Sequence, residues 1–99
     1  MTIRVRRALL ADAKIIAEFN SAIAKETEHL ELDRKRLLRG VKALLKDSSK
    51  GFYLLAEVKE RVAGQLMITY EWSDWRSATF WWIQSVYVAP EFRNAGVFT

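Results

Sequence analysis

The strongest structural signal in the chain lies in residues 84–99, Gln84-Ser85-Val86-Tyr87-Val88-Ala89-Pro90-Glu91-Phe92-Arg93-Asn94-Ala95-Gly96-Val97-Phe98-Thr99. Apolar residues dominate up to Val88, which is typical of a strand, and Pro90 then ends that strand. The following Arg-x-x-Gly pattern predicts a turn whose successive backbone N–H groups can bind an anion such as a pyrophosphate. The segment therefore predicts a strand that runs directly into a phosphate-binding turn.

The preceding residues predict one strand and two amphipathic helices. Ile and Val alternate with Arg from Thr2 to Ala8, which is typical of a strand with one solvated face. Apolar residues at helical spacing predict a first helix from about Leu10 to Lys25, followed by a loop from Thr27 to Leu32. Asp33 is a suitable N-cap for a second helix, whose apolar stripe ends before Asp47.

After Gly51 the composition becomes aromatic and β-branched, which predicts strands over Phe52 to Val58, Val62 to Trp72 and Thr79 to Val88. A tight turn at Lys59-Glu60-Arg61 joins the first two. Strict alternation in the last strand gives two largely apolar faces, which indicates that both are covered. One face is expected to carry Phe80, Trp82, Gln84, Val86 and Val88, and the other Trp81, Ile83, Ser85 and Tyr87.

Composition is consistent with one globular domain over residues 1–99. The chain has 51% hydrophobic residues and includes 4 Trp, 3 Tyr and 5 Phe, which supply a modest core. Cysteine is absent and there is one histidine, which excludes a disulfide framework and a thiol nucleophile and weighs against any metal site. Asp12 and Lys14 interrupt the N-terminal apolar run, so we expect no secretion signal, no membrane span and a cytoplasmic location.

The formal net charge of +4 invites a nucleic-acid interpretation. Six of the basic residues lie on the predicted second helix, opposite its apolar stripe, so a solvated helix face is the favoured explanation. Binding of nucleic acid through Arg36 and Arg39 is the weaker alternative. The six are Arg34, Lys35, Arg36, Arg39, Lys42 and Lys46.

The pattern V-x-V-x-P-E-F-R-x-x-G-x, which begins at Val86, resembles the acyl-CoA signature of the GNAT-type N-acetyltransferase superfamily. Residues 64–76 and 82–88 resemble a bacterial subgroup of it. The resemblance implies an α+β, α-β-α layered fold with elements in β-α-α-β-β-β order and a mostly antiparallel central sheet. Family members continue past this motif, so the domain is expected to be incomplete, truncated after the fourth strand. Phe98 departs from the small residue usual at that position.

The resemblance also implies a reaction, the transfer of an acetyl group from acetyl-CoA to a primary amine by direct attack. In that family the pantetheine pairs like an extra strand with the fourth strand, which here places it on Val86, Tyr87 and Val88. The diphosphate would lie over the backbone amides of the following turn, and the Arg93 side chain would add positive charge. The turn residues are Arg93, Asn94, Ala95, Gly96, Val97 and Phe98.

Candidate catalytic residues are carboxylates within reach of the amine through one water molecule. Glu28 and Glu71 are the candidates for general base, together with Glu26 on the expected substrate loop. Gln84 stands where some family members carry a basic carboxylate, although an amide can only orient a water or a donor. His29 could relay protons beside Glu28. A solvated surface charge is the alternative for each glutamate.

The tryptophans suggest a wall for a small-molecule amine. Trp72, Trp75 and Trp82 could contact an apolar or cationic substrate through their ring faces, and packing within the hairpin is the alternative. The strand from Thr79 to Val88 is also expected to leave an unpaired apolar edge, which predicts a homodimer or a swapped oligomer. A non-catalytic remnant that acts as an oligomerising or binding module is therefore the alternative function.

Overall fold

The computed structural model describes residues 2–93 and 97. Over this part of the chain the elements follow the predicted β-α-α-β-β-β order, and the strands form an antiparallel sheet in the order β1-β2-β3-β4. The predicted α+β fold class is confirmed. The elements are β1 (Ile3–Arg7), a 3-10 turn (Leu10–Asp12), α1 (Ala13–Glu28), α2 (Arg34–Lys46), β2 (Phe52–Val58), β3 (Arg61–Ser73), β4 (Ala78–Val88) and a second 3-10 turn (Pro90–Phe92).

Both helices pack on one face of the sheet, which we call the helix face. Ile16 of α1 and Val41 of α2 meet Tyr53 and Leu55 of β2 in one buried cluster. Ile16 and Leu55 are completely buried. Burial of an aliphatic side chain of this size stabilises the fold by roughly 1.5–3 kcal/mol, so this cluster anchors the helix layer to the sheet.

The first helix ends later than the sequence predicts. Thr27 and Glu28 were expected in a loop, but α1 continues through Glu28. The Thr27 hydroxyl donates to the Ile23 carbonyl oxygen at 2.7 Å, which lets a threonine lie inside the last turn. His29 then ends the helix in a left-handed conformation, with φ 55°. Consequently Glu26 and Glu28 lie on the last turn of α1 and not on a loop.

The start of α2 and the β2–β3 turn follow local chemistry. Asp33 is the N-cap, as predicted, and its Oδ1 accepts hydrogen bonds from the backbone N–H groups of Lys35 and Arg36 at 3.0 and 3.2 Å. Lys59 and Glu60, both at positive φ, form the two-residue turn between β2 and β3. Positive φ at both central positions matches the right-handed twist of a hairpin.

A β-bulge interrupts β4. Met67 pairs with Gln84 and Gln65 pairs with Tyr87, so Ser85 and Val86 of β4 lie opposite one residue of β3. Ser85 has a φ of 51°, in the left-handed region. The extra residue shifts the alternation by one, so the prediction that Gln84 and Tyr87 point to opposite faces is wrong. Both lie on the helix face.

The predicted cover over both faces of β4 is not found in the described residues. Trp81, Trp82 and Ile83 are 63%, 53% and 63% exposed, respectively. Among the described strands β4 pairs with β3 alone, so its outer edge is open. In the same part of the chain, no helix combines the length and the apolar composition needed to cross a bilayer.

Candidate functional site

A buried polar network lies beneath the bulge. The Gln65 side chain is 1% exposed, and its Nε2 donates to Asn20 Oδ1 at 2.9 Å and to the Ser85 carbonyl oxygen at 3.0 Å. Asn20 Nδ2 in turn donates to the Tyr53 hydroxyl at 3.0 Å. Burial raises the pKa of Tyr53, against the opposing effect of hydrogen bonds from Asn20 and Ser85. The network therefore ties α1, β2 and β3 to the backbone of the bulge.

A second cluster lies where β4 ends and is formed by Glu26, Tyr87 and Arg93; we call it the Glu26 cluster. The Tyr87 hydroxyl donates to Glu26 Oε2 at 2.8 Å, and an Arg93 terminal nitrogen donates to Glu26 Oε1 at 2.9 Å. Arg93 Nε also donates to the Val88 carbonyl oxygen at 2.9 Å. The cluster thus joins the last turn of α1 to the start of the predicted phosphate turn.

Charge and hydrogen bonding shift the titration of the Glu26 cluster. The hydrogen bond from Tyr87, followed by the one from Arg93, lowers the pKa of Glu26. Burial and the neighbouring carboxylate raise the pKa of Tyr87. The Arg93 side chain is 44% exposed and that of Glu26 is 43% exposed, so water screens this ion pair. The Glu26 cluster is therefore an ion pair that is partly exposed to solvent.

Gly64 allows β4 to approach β3 closely beside this cluster. A Cβ atom at Gly64 would lie 2.9 Å from the Tyr87 carbonyl oxygen and 3.4 Å from Val97 Cγ1. Real Cβ atoms avoid contacts under 3.0 Å, so the backbone of β4 would have to move. Val97, a residue of the predicted phosphate turn, therefore lies against β3 at the glycine.

A cleft of about 290 Å³ opens between α1, α2 and the bulge. Its lining is mainly apolar, with Glu28 as the charged side chain and Ser85 and Asn20 as the uncharged polar ones. The lining residues are Asn20, Ile23, Ala24, Glu28, Leu32, Leu37 and Ser85. The cleft therefore places one carboxylate near the polar backbone of the bulge, within apolar walls.

Residues 14–99 match the family model described as the acetyltransferase (GNAT) family. The chain belongs to the GNAT acetyltransferase family. The β-α-α-β-β-β order and the strand that runs into the Pro90 turn agree with that membership. Among curated proteins no similar sequence was found.

Solved structures agree with the GNAT assignment. A possible acetyltransferase from Clostridium difficile 630 is 52% identical, with a TM-score of 0.93 over 99% of this chain and 64% of that one. A predicted acetyltransferase with acetyl-CoA from Clostridium acetobutylicum is 17% identical, with a TM-score of 0.76 over 96% of this chain and 65% of that one. A ribosomal-protein-alanine N-acetyltransferase from Brucella melitensis biovar Abortus 2308 is 17% identical, with a TM-score of 0.74 over 97% of this chain and 63% of that one. This chain thus spans less than two thirds of each.

The predicted catalytic residues fall into two places in this GNAT fold. Glu28 lines the cleft beside the bulge. Glu71 and Gln84 lie farther along the helix face, where Glu71 accepts a hydrogen bond from Trp82 Nε1 at 2.6 Å and Gln84 Nε2 donates to Thr69 Oγ1 at 2.5 Å. Their catalytic roles stay predictions.

The predicted tryptophan wall is divided by the sheet. Trp82 pairs with Thr69 and lies on the helix face, whereas Trp72 pairs with Thr79 and lies on the opposite face. Trp75 is 96% exposed in the turn between β3 and β4. Trp72 and Trp82 therefore cannot line one pocket together. Glu26, another predicted substrate residue, accepts hydrogen bonds from Tyr87 and Arg93.

The predicted cofactor residues are partly described. Val86 is 49% exposed at the bulge, whereas Tyr87 is buried against Phe19 with ring centroids 5.0 Å apart. The predictions for Asn94, Ala95, Gly96 and Phe98 lie outside the described residues.

Asn20, Gln65 and Tyr53 were not among the site residues predicted from the sequence. A usable signal was present, because Asn20 is one helical turn from the buried Ile16 and Gln65 interrupts an apolar strand.

Proposed function

We propose that the chain transfers an acetyl group from acetyl-CoA to a primary amine by direct attack, as an N-acetyltransferase. The observation that carries the proposal is the bulge at Ser85 and Val86. It lies near the end of β4, shortly before the turn that begins at Pro90. A bulge leaves backbone groups of an edge strand unpaired, where an extended ligand can add itself like another strand. Membership in the GNAT family supports this use of the strand.

The residues present fit the acyl-CoA thioester. Ser85 and Val86 share one opposing residue on β3, and Val86 is half exposed on the outer edge of the sheet. Val86, Tyr87 and Val88 would hold the pantetheine through backbone groups. Arg93 forms an ion pair with Glu26 at 2.9 Å, so only part of its positive charge would act on the diphosphate. The backbone amides of the turn would therefore carry most of that contact.

The chemistry requires an amine that is neutral when it attacks. When bound, acetyl-CoA supplies the activated acyl group, and the chain has to position the amine and accept a proton. Glu28 is the carboxylate of the cleft beside the bulge, so we assign it the proton-accepting role. Glu71 accepts a hydrogen bond from the Trp82 indole and lies farther from the bulge along the sheet, so it is the second candidate for this role. The apolar cleft walls favour an amine with an apolar body.

Calorimetric titration with acetyl-CoA tests the proposal. The variant Val86→Pro removes the backbone N–H of a bulge residue, and Val86→Ala is the matched control that keeps it. We expect the chain and the alanine variant to bind, and the proline variant to lose about tenfold in affinity or more. No binding by a chain with a folded circular dichroism spectrum would contradict the proposal.

Turnover is a separate measurement. Release of the free thiol from acetyl-CoA is expected in the presence of small primary amines, and Glu28→Gln should reduce the rate while leaving acetyl-CoA affinity unchanged. Tight binding without thiol release by any amine would favour the alternative of a non-catalytic binding module. A cytoplasmic location stays a prediction, which fractionation of cells can test.

Self-association is the remaining part of the proposal. The outer edge of β4 is open in the described sheet, and Trp81, Trp82 and Ile83 leave apolar surface beside it. We expect a homodimer that pairs these edges. Light scattering coupled to size exclusion at increasing concentration measures this, and a monomer at the highest concentration would contradict it.

A further inference from the structure

The hydrogen bonds around Gln65 have a fixed direction. The Ser85 backbone carbonyl can only accept, so the Gln65 side chain must present Nε2 to it. Nε2 also contacts Asn20, so the Asn20 oxygen must face Gln65 and its Nδ2 must face Tyr53. Reversing either amide would bring two acceptors or two donors together. The orientation is therefore set by the backbone of the bulge.

The hydrogen bonds of Gln65, and not its packing, explain why a glutamine occupies this buried position. Its Oε1 is buried and has no hydrogen-bond partner among the residues that the structure describes. Burying an unmet acceptor costs stability, and an apolar side chain of the same size would avoid that cost. Among the residues that the structure describes, Gln65 is also the only polar one in the buried class. What its side chain gains there is two hydrogen bonds, one of them to the bulge.

The bulge needs such support. Ser85 adopts a φ of 51°, which is unfavourable for a residue with a Cβ atom. It lies on an edge strand whose preceding seven residues, 78–84, are all exposed. The neighbouring strand contributes Gln65 from beneath, and Gln65 reaches across to α1 through Asn20. The bond from Gln65 Nε2 thus connects an exposed, unfavourable backbone conformation to the buried core.

We propose that Gln65 is a positioning residue that fixes the Ser85–Val86 bulge and thereby sets the place of the acyl end of acetyl-CoA. The inference rests on the proposed function. Gln65 acts through the Ser85 carbonyl and does not touch the ligand. It governs the acyl and pantetheine end alone, because the turn after Pro90 is held separately, by the backbone hydrogen bond from Ala89 to Ala63 and by the Glu26 cluster.

The test compares two ligands on the 99-residue chain. Acetyl-CoA reports on both ends of the site, whereas 3′-phosphoadenosine 5′-diphosphate carries only the nucleotide and diphosphate end. Gln65→Met removes the donor at similar size. Ile68→Met, at a residue 7% exposed on the opposite face of β3, is the packing control. We expect Gln65→Met to weaken acetyl-CoA by about tenfold or more, with less than about a twofold change for the nucleotide. The control should change neither.

A second variant adds a pH readout. In Gln65→Glu the ionised carboxylate repels the Ser85 carbonyl, whereas the protonated acid can donate to it. Burial raises the pKa of a carboxylic acid, so acetyl-CoA affinity should recover as the pH falls from about 8 to about 5, while nucleotide affinity stays level. A thermal melting curve of each variant shows whether it is folded at the temperature of the binding measurement.

The outcomes are distinguishable. Equal acetyl-CoA affinity in the wild type and Gln65→Met overturns the inference. Parallel loss of both ligands, or unfolding of the Gln65 variants, also overturns it, because Gln65 would then serve the whole fold. If the wild-type chain binds neither ligand, the proposed function itself fails.

Discussion

Replacing Gly64 with alanine should force β3 and β4 apart. The new Cβ atom would lie 2.9 Å from the Tyr87 carbonyl oxygen and 3.6 Å from Val88 Cα, and both are backbone atoms that cannot rotate away. Favourable carbon contacts lie near 3.5–4.0 Å, so the strands must separate by several tenths of an ångström. Overpacking of this kind costs about 1–3 kcal/mol, which for a domain of this size lowers the melting temperature by roughly 5–20 °C.

Gly40 provides a matched control. It lies inside α2, where an added Cβ atom would meet nothing within 4 Å. The same Gly→Ala change should therefore stabilise the chain, by up to about 1 kcal/mol, because alanine favours a helix over glycine. Differential scanning calorimetry and urea unfolding measure both variants. If Gly64→Ala melts at or above the wild type, or if both variants shift in the same direction, the close approach of β4 to β3 is refuted.

Three further predictions concern charged groups. Asp12→Asn removes a carboxylate that accepts hydrogen bonds from Arg6 at 2.8 and 2.9 Å, and should cost about 1–2 kcal/mol at neutral pH by urea unfolding. Arg6 lowers the pKa of Asp12, so this contribution is present above the unfolded pKa and is lost as the pH falls through the folded pKa; the variant should be less sensitive to acid. Glu26→Gln should lower the pKa of Tyr87, measured by ultraviolet titration, because the carboxylate raises it. Asp33→Ala should cost about 1 kcal/mol and reduce helical circular dichroism.

Two exposed carboxylates elsewhere in the chain serve as controls for these changes. Asp74, exposed in the β3–β4 turn, should tolerate alanine without loss of stability. Glu18→Gln, on the exposed side of α1, should leave the tyrosine titration unchanged. Equal acid sensitivity of Asp12→Asn and the wild type would contradict the Arg6–Asp12 ion pair, and an unchanged pKa of Tyr87 in Glu26→Gln would contradict the Tyr87–Glu26 hydrogen bond.

Local signals in the sequence predicted the elements well. Asp33 satisfies the first N–H groups of α2 within three residues, and the strand bounds depend on composition that changes over similar distances. The end of α1 was missed because Thr27 is a poor helix former in isolation and bonds back to Ile23 only once the helix exists. A contact that forms within the folded helix gives no periodic signal.

The site was less predictable, because its contacts are distant along the chain. Gln65 and Asn20 are 45 residues apart, and Glu26 and Arg93 are 67 apart. Period-two alternation also cannot locate an inserted residue, so the bulge at Ser85 moved Tyr87 onto the face expected for Gln84. The likeness to the GNAT signature did point to the family and to the strand over residues 78–88 correctly, since the residues that carry it are contiguous.

All four tryptophans lie on the β3–β4 hairpin, and each is exposed by half or more. Intrinsic fluorescence of the folded monomer should therefore already have the long emission wavelength of indoles in water. Melting of the helix layer would change that spectrum little, whereas any surface that covers the hairpin would shift emission to the blue. Tryptophan emission is thus an optical probe of what docks on this hairpin, and a poor monitor of global unfolding.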